Sequence, residues 1–157
     1  MIISKFTILA KSVTIDSLSN QLSISNIIEE LQTPKLPSLL PESYLVSLFE
    51  RNEKKDKSII PASVTVYLND KKLGGQNFNI DFQQVSRNRT VMTLPLLELN
   101  EFGVLKFEMI VKGKVVGSYD VKILESQQLL LDQEKIFKPE PKMKKKSLKG
   151  KKKLIRK

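Results

Sequence analysis

The chain has no cysteine and no histidine among its 157 residues. The first absence removes disulfides and thiol chemistry. The second removes catalytic triads built on His, and leaves a zinc site only carboxylates, an unusual donor set. No run of about 18 apolar residues occurs, so no transmembrane helix is expected. The apolar run Phe6 to Ala10 near the start is shorter than the ~7–15 residues of a signal-peptide core, and Lys11 ends it. It reads as a first strand, and the expected location is cytoplasmic.

What is present is unevenly charged. Residues 138–157 hold eleven of the 27 basic residues and one acid, Glu140, a net of +10. Residues 1–137 balance 16 basic against 16 acidic residues. The pI near 9.7 therefore describes an appendage and not a basic folded surface.

The clearest local pattern is a hairpin over Gly103 to Leu124. Leu105, Phe107, Met109 and Val111 alternate with Lys106 and Glu108. After a Lys112-Gly113-Lys114 turn, Val115, Gly117, Tyr119, Val121 and Ile123 alternate with more polar neighbours. Period-two alternation is what a sheet with one buried face requires. Phe107, Met109 and Val121 are expected in the core. Earlier strands are expected at Lys5–Ile15, Gln21–Leu31, Tyr44–Arg51, Ala62–Asn69, Leu73–Phe82 and Arg89–Leu94. Phe6, Ile8 and Ala10 share one face of the first. The segment between Gln32 and Ser43 holds Pro34, Pro37 and Pro41, and reads as an extended crossover loop. The leucine-rich stretch Pro95–Phe102 reads as a connection.

The expectation is an all-β chain: an antiparallel β-sandwich of about seven to eight short strands, immunoglobulin-like or C2-like, over residues 1–125. Residues 126–137 have the spacing of a short helix, with Leu129, Leu130, Ile136 and Phe137 on one side. Residues 138–157 have no apolar period and are expected to be a disordered polybasic tail.

Several stretches together resemble an uncharacterised bacterial family of small β-sandwich domains. They are Phe6-x-Ile-Leu-Ala10, Asn20-x-Leu-Ser-Ile-x-Asn-Ile-Ile-Glu-Glu30, the proline loop, Tyr44-Leu-Val-Ser-Leu-Phe-Glu-Arg51 and the Phe102-Gly103 hairpin. The resemblance spans residues 4 to 124. It implies the fold, and it transfers no site residues because the family has no established activity.

Few constellations carry chemistry. Glu29 and Glu30, adjacent on a strand, face opposite sides and form no dyad. Gly74-Gly75 lacks a following helix and a Gly-Lys-Ser/Thr, so it reads as a turn or bulge and not as a phosphate loop. Arg87 and Arg89 read as a solvated loop pair, and Tyr44, Tyr67 and Tyr119 as core or rim packing. The tail differs. Lys144, Lys145, Lys146, Lys149, Lys151, Lys152, Lys153, Arg156 and Lys157 form a candidate polyanion site that would displace counterions from phosphate backbones or meet anionic lipid. It has no aromatic residue, so any nucleic-acid binding would be blind to sequence. No cofactor, metal or catalytic residue is expected. The functional expectation is a non-enzymatic module that binds another protein through a sheet edge or loops. The alternative is an accessory protein tethered by its tail to nucleic acid or another polyanion.

Overall fold

A computed structural model describes residues 1–52, 58–83 and 85–126. All regular structure among them is β. The strands are β1 (Ile2–Ile15), β2 (Leu22–Ile27), β3 (Glu30–Thr33), β4 (Ser38–Leu40), β5 (Ser43–Arg51) and β6 (Ile59–Leu68). β7 (Lys71–Asp81), β8 (Arg87–Leu94), β9 (Leu97–Leu99), β10 (Gly103–Val111) and β11 (Lys114–Glu125) complete the set. Two sheets form a β-sandwich, one ordered β2-β1-β5-β8 and the other β3-β11-β10-β6-β7, with the short pair β4-β9 beside them. The expected helix and polybasic tail fall on residues outside the described ones, except Ser126. That residue is buried, and its N–H donates to the Thr33 carbonyl at 3.0 Å.

Alternation builds the core. β6 sends Ile60, Ala62, Val64, Val66 and Leu68 inward, and β10 sends Leu105, Phe107, Met109 and Val111. Val121 and Ile123 of β11 join them. From the smaller sheet come Leu9, Leu45, Phe49, Met92 and Leu94. Phe107, Met109 and Val121 have no exposed surface, as the hairpin pattern requires. The hairpin turn is Lys112-Gly113, both with positive φ, 51° and 74°. That two-residue loop suits the twist of the strands it joins.

The structure departs from the sequence reading in four places. The stretch Gln21–Leu31 is two strands and not one. Asn26 takes a φ of 55°, the Ile28 N–H donates to the Leu9 carbonyl at 2.8 Å, and the chain passes to the other sheet. There β3 runs parallel to β11, pairing Glu30 with Lys122 through Thr33 with Glu125, so not every pair in the sandwich is antiparallel. The proline segment and the leucine-rich connection hold β4 and β9, which pair with each other. The register of β1 slips between Ser4 and Phe6. Beyond the slip, Phe6, Ile8 and Ala10 share one face as expected; it is the outer one, with Phe6 37% exposed, and Thr7 and Leu9 point inward. A second slip opposite Met109 and Ile110 leaves Val115 exposed and Val116 half-buried.

The two sides of the sandwich close differently. On the β1/β11 side the sheets meet tightly: a Cβ on Gly117 would lie 2.5 Å from the Ser4 Cβ. Ser4, Thr7 and Ser47 hydroxyls join in a chain there, each link 3.0 Å long. On the β7/β8 side only one end is closed by the described residues. Asn88 donates to the Asp81 carbonyl at 2.7 Å. Arg51, itself buried, donates to the Val85 and Gln83 carbonyls and lies 5.0 Å from the Phe82 ring centroid, which pins the loop between β7 and β8. The other end is open, and the candidate site lies there.

Candidate functional site: the free edge of β7

β7 is the last strand of the larger sheet. Among the described residues it pairs with β6 alone, from Lys71 with Leu68 to Asp81 with Ile59. Its other edge presents backbone N–H and C=O groups without strand partners. Natural sheets usually blunt such an edge or use it.

Beneath this edge lies a cleft of about 360 Å³. Its floor is Val64 and Val66 of β6. One wall is Leu73 to Gln76 of β7, and the other is Leu94, Pro95 and Leu97 at the passage from β8 to β9. Leu73 is 40% exposed at the mouth, and Leu96, beside the lining residues, is 68% exposed. The register of β6 against β7 slips between Val66 and Tyr67, leaving Leu73 as the extra residue. The slip turns Lys72 to the outer face, across from Tyr67, and Gly74 to the inner face, across from Val66.

The two glycines are not equivalent. A Cβ built on Gly74 meets nothing within 4 Å, because the backbone there borders the cleft. A Cβ on Gly75 would fall 2.6 Å from the Val64 carbonyl oxygen. The turn or bulge expected at Gly74-Gly75 lies one residue earlier, at Leu73, and both glycines are paired within the strand. What the sequence did not reveal is the empty space beside the first glycine. The available signal was a glycine pair inside a strand, which often marks close approach of another backbone.

Lys71 is bound to Glu101 at 3.1 Å, which with Asn69 holds the Glu101 carboxyl below its ordinary pKa. The Lys72 ammonium pairs with no acid among the described residues and stands exposed at the edge.

The other sequence candidates are tied into the fold. Glu29 lies at the crossing between β2 and β3, and Glu30 sits 4.0 Å from the Lys122 ammonium. Arg87 donates to Glu50 at 2.9 Å, and Arg89 donates to the backbone and side chain of Asn20 at 2.9 and 2.7 Å. Neither guanidinium is an open anion grip. Tyr44 and Tyr67 sit on opposite outer faces, so no aromatic platform forms. The Tyr119 hydroxyl donates to the Ile28 carbonyl at 3.1 Å, and burial, with the Glu29 carboxylate adding, pushes the phenol pKa up. Lys144, Lys145, Lys146, Lys149, Lys151, Lys152, Lys153, Arg156 and Lys157 lie outside the described residues. No group of three or more acidic side chains is placed to hold a metal among the described residues, and no helix there is long and apolar enough to cross a membrane.

No family model matches the chain, and no curated protein does. Among solved structures it is similar to a β-glucosidase from Listeria innocua, at 9% identity and a TM-score of 0.45. The alignment covers 78% of this chain and 16% of that one. The same enzyme with isofagomine and with glucose aligns at TM-scores of 0.41. The chain thus spans about a sixth of those proteins' length, and similarity at this level carries no argument about activity.

Proposed function

We propose that the chain is a non-enzymatic binding module that engages another protein along the free edge of β7. The observation that carries this reading is the coincidence of an unpaired strand edge with an apolar cleft directly beneath it. An edge alone supplies hydrogen bonds without selectivity. A cleft alone supplies apolar burial without orientation. Together they supply the two parts of strand-type recognition. Membership of the bacterial β-sandwich family and a cytoplasmic location are parts of the same proposal. The first rests on the Asn20–Glu30 motif.

The test is site-specific photocrosslinking in cell lysate. A crosslinker at Leu73 should give adducts that one at Lys106, on the outer face of β10, does not. Identical adducts from both positions would refute an edge-directed interaction.

The second reading is a tether to polyanions through residues 138–157, favoured by the placement of the whole formal charge excess there. Each phosphate neutralised adds about 0.9 to the slope of log K against log salt, so binding to duplex DNA should collapse as salt rises. Truncation after Phe137 should abolish that binding. Equal affinity from the truncated chain would move the contact elsewhere.

A further inference from the structure

We infer that the occupant of the β7 edge is an extended segment of a partner protein that adds to the sheet as a new strand, with an apolar side chain seated in the cleft and an acidic neighbour beside Lys72. This inference rests on the edge-directed reading above and names its ligand.

The backbone fixes the first part. A row of alternating N–H and C=O groups is complemented along its length only by another extended backbone, lying about 4.8 Å away. Asn88 occupies the Asp81 end, so the free length runs from Lys71 toward Gln76.

The interior fixes the second part. In a sheet, alternate side chains of an added strand point to the same side as the inner residues of its neighbour. On β7 that neighbour is Gly74, which has no side chain and opens on empty space. A strand laid along this edge therefore directs an inward side chain past Gly74 into the 360 Å³ between Val64, Val66, Leu94 and Leu97. Those four side chains are aliphatic, Gln76 is the polar residue of the lining, and the space is enough for a residue of leucine size. A polar side chain would lose its water among those aliphatic groups, with Gln76 the polar side chain in the lining to replace it.

Charge fixes the third part. Lys71 already holds Glu101, while Lys72 projects from the outer face at the same edge with no acid paired to it among the described residues. Opposite charges across neighbouring strands attract and like charges repel. The preferred partner therefore carries Asp or Glu on its outer side next to the buried apolar residue.

The experiment uses the full chain and synthetic peptides of about eight residues, a common strand length. The reference peptide alternates threonines around one central leucine followed by glutamate. Controls replace the leucine by alanine or the glutamate by lysine. NMR titration should place the reference peptide on β7. The alanine control should bind about tenfold or more weaker, because it buries less apolar surface. The lysine control should bind weaker by about two- to fivefold at low salt. Gly74→Leu fills the cleft from within, and should abolish binding while the melting temperature does not fall. Binding unchanged by Gly74→Leu, or equal for leucine and alanine peptides, would overturn strand insertion.

Crosslinking separates this failure from that of the broader reading. If Leu73 captures the same partner with and without Gly74→Leu, the edge-directed module stands and the inserted strand falls. If Leu73 captures nothing beyond what Lys106 captures, both fall. Adducts from Leu73 to residues 127–157 of the chain itself would make its own C-terminal segment the occupant, and would overturn the separate partner.

Discussion

Gly74 and Gly75 are neighbours in one strand, yet their substitution should move stability in opposite directions. At Gly74 the φ is not in the left-handed region, and a Cβ meets nothing within 4 Å. Replacing a strand glycine by a residue with a side chain recovers about 0.5–1 kcal/mol of backbone entropy. A leucine there also places aliphatic carbon against Val64, Val66 and Leu94, and partial burial of about 40 Å² contributes roughly 1 kcal/mol more. Gly74→Leu should therefore stabilise by about 1.5–2 kcal/mol. At Gly75 the new Cβ falls 2.6 Å from the Val64 carbonyl oxygen, a backbone atom held in the β6–β7 ladder. Relief requires the two strands to separate, and overpacking of this kind costs about 1–3 kcal/mol. Gly75→Ala should destabilise by that amount despite its better propensity. Urea unfolding of both variants reads the difference directly, provided the slope with denaturant is unchanged. Gly74→Leu as destabilising as Gly75→Ala would show that the cleft is filled in solution, and the reasoning about the free edge would fail with it.

Other expectations follow from the core, the turns and the charges. Phe107→Ala removes a ring with no exposed surface and should cost about 3–5 kcal/mol, read as a fall in urea midpoint; an unchanged midpoint would place the ring on the surface. Gly103 has a φ of 138°, and a side chain there would collide with the Asn69 amide, which bonds the Phe102 carbonyl at 2.8 Å and the Val104 N–H at 2.9 Å. Gly103→Ala should lose those bonds, at about 1 kcal/mol each, with the backbone penalty added, and thermal melting should show the loss. The hydrogen bond from Arg87, with Lys5 adding, holds the Glu50 carboxyl below its ordinary pKa of 4.5 against an opposing effect of burial. A carboxyl with a depressed folded pKa stabilises above its unfolded value, and that contribution is lost as pH falls through the folded one. Between pH 5 and pH 3 the melting temperature should fall further for the parent than for Glu50→Gln. Equal slopes would remove Glu50 from the acid response.

The sandwich was legible because burial on one face writes itself as alternation, most plainly from Leu105 to Val111 and at Val121 and Ile123. What misled was register. One extra residue near Lys5 reverses the faces of everything before it, and alternation from Phe6 to Ala10 did not say which face is buried: it is that of Thr7 and Leu9. The break between β2 and β3 has no proline or glycine to announce it, only Asn26 in a left-handed conformation, which asparagine tolerates. β4 and β9 are three residues each, too short for any period to show. The cleft was invisible for a different reason. It joins Leu73–Gln76 to Leu94–Leu97, which are brought together only by the packing of two sheets. Sequence spacing records pairing within an element and not the width of a seam between two. The lysine-rich candidates rested on composition alone, and they lie outside the described residues.

Amide hydrogen exchange along β7 in the free full-length chain tests the central claim most directly. If the edge from Lys72 to Gln76 is unpaired, N–H groups directed toward β6 should exchange slowly and those directed away from it quickly, alternating along the strand. Slow exchange at every one of these amides would mean that something already covers the edge, and would contradict the account.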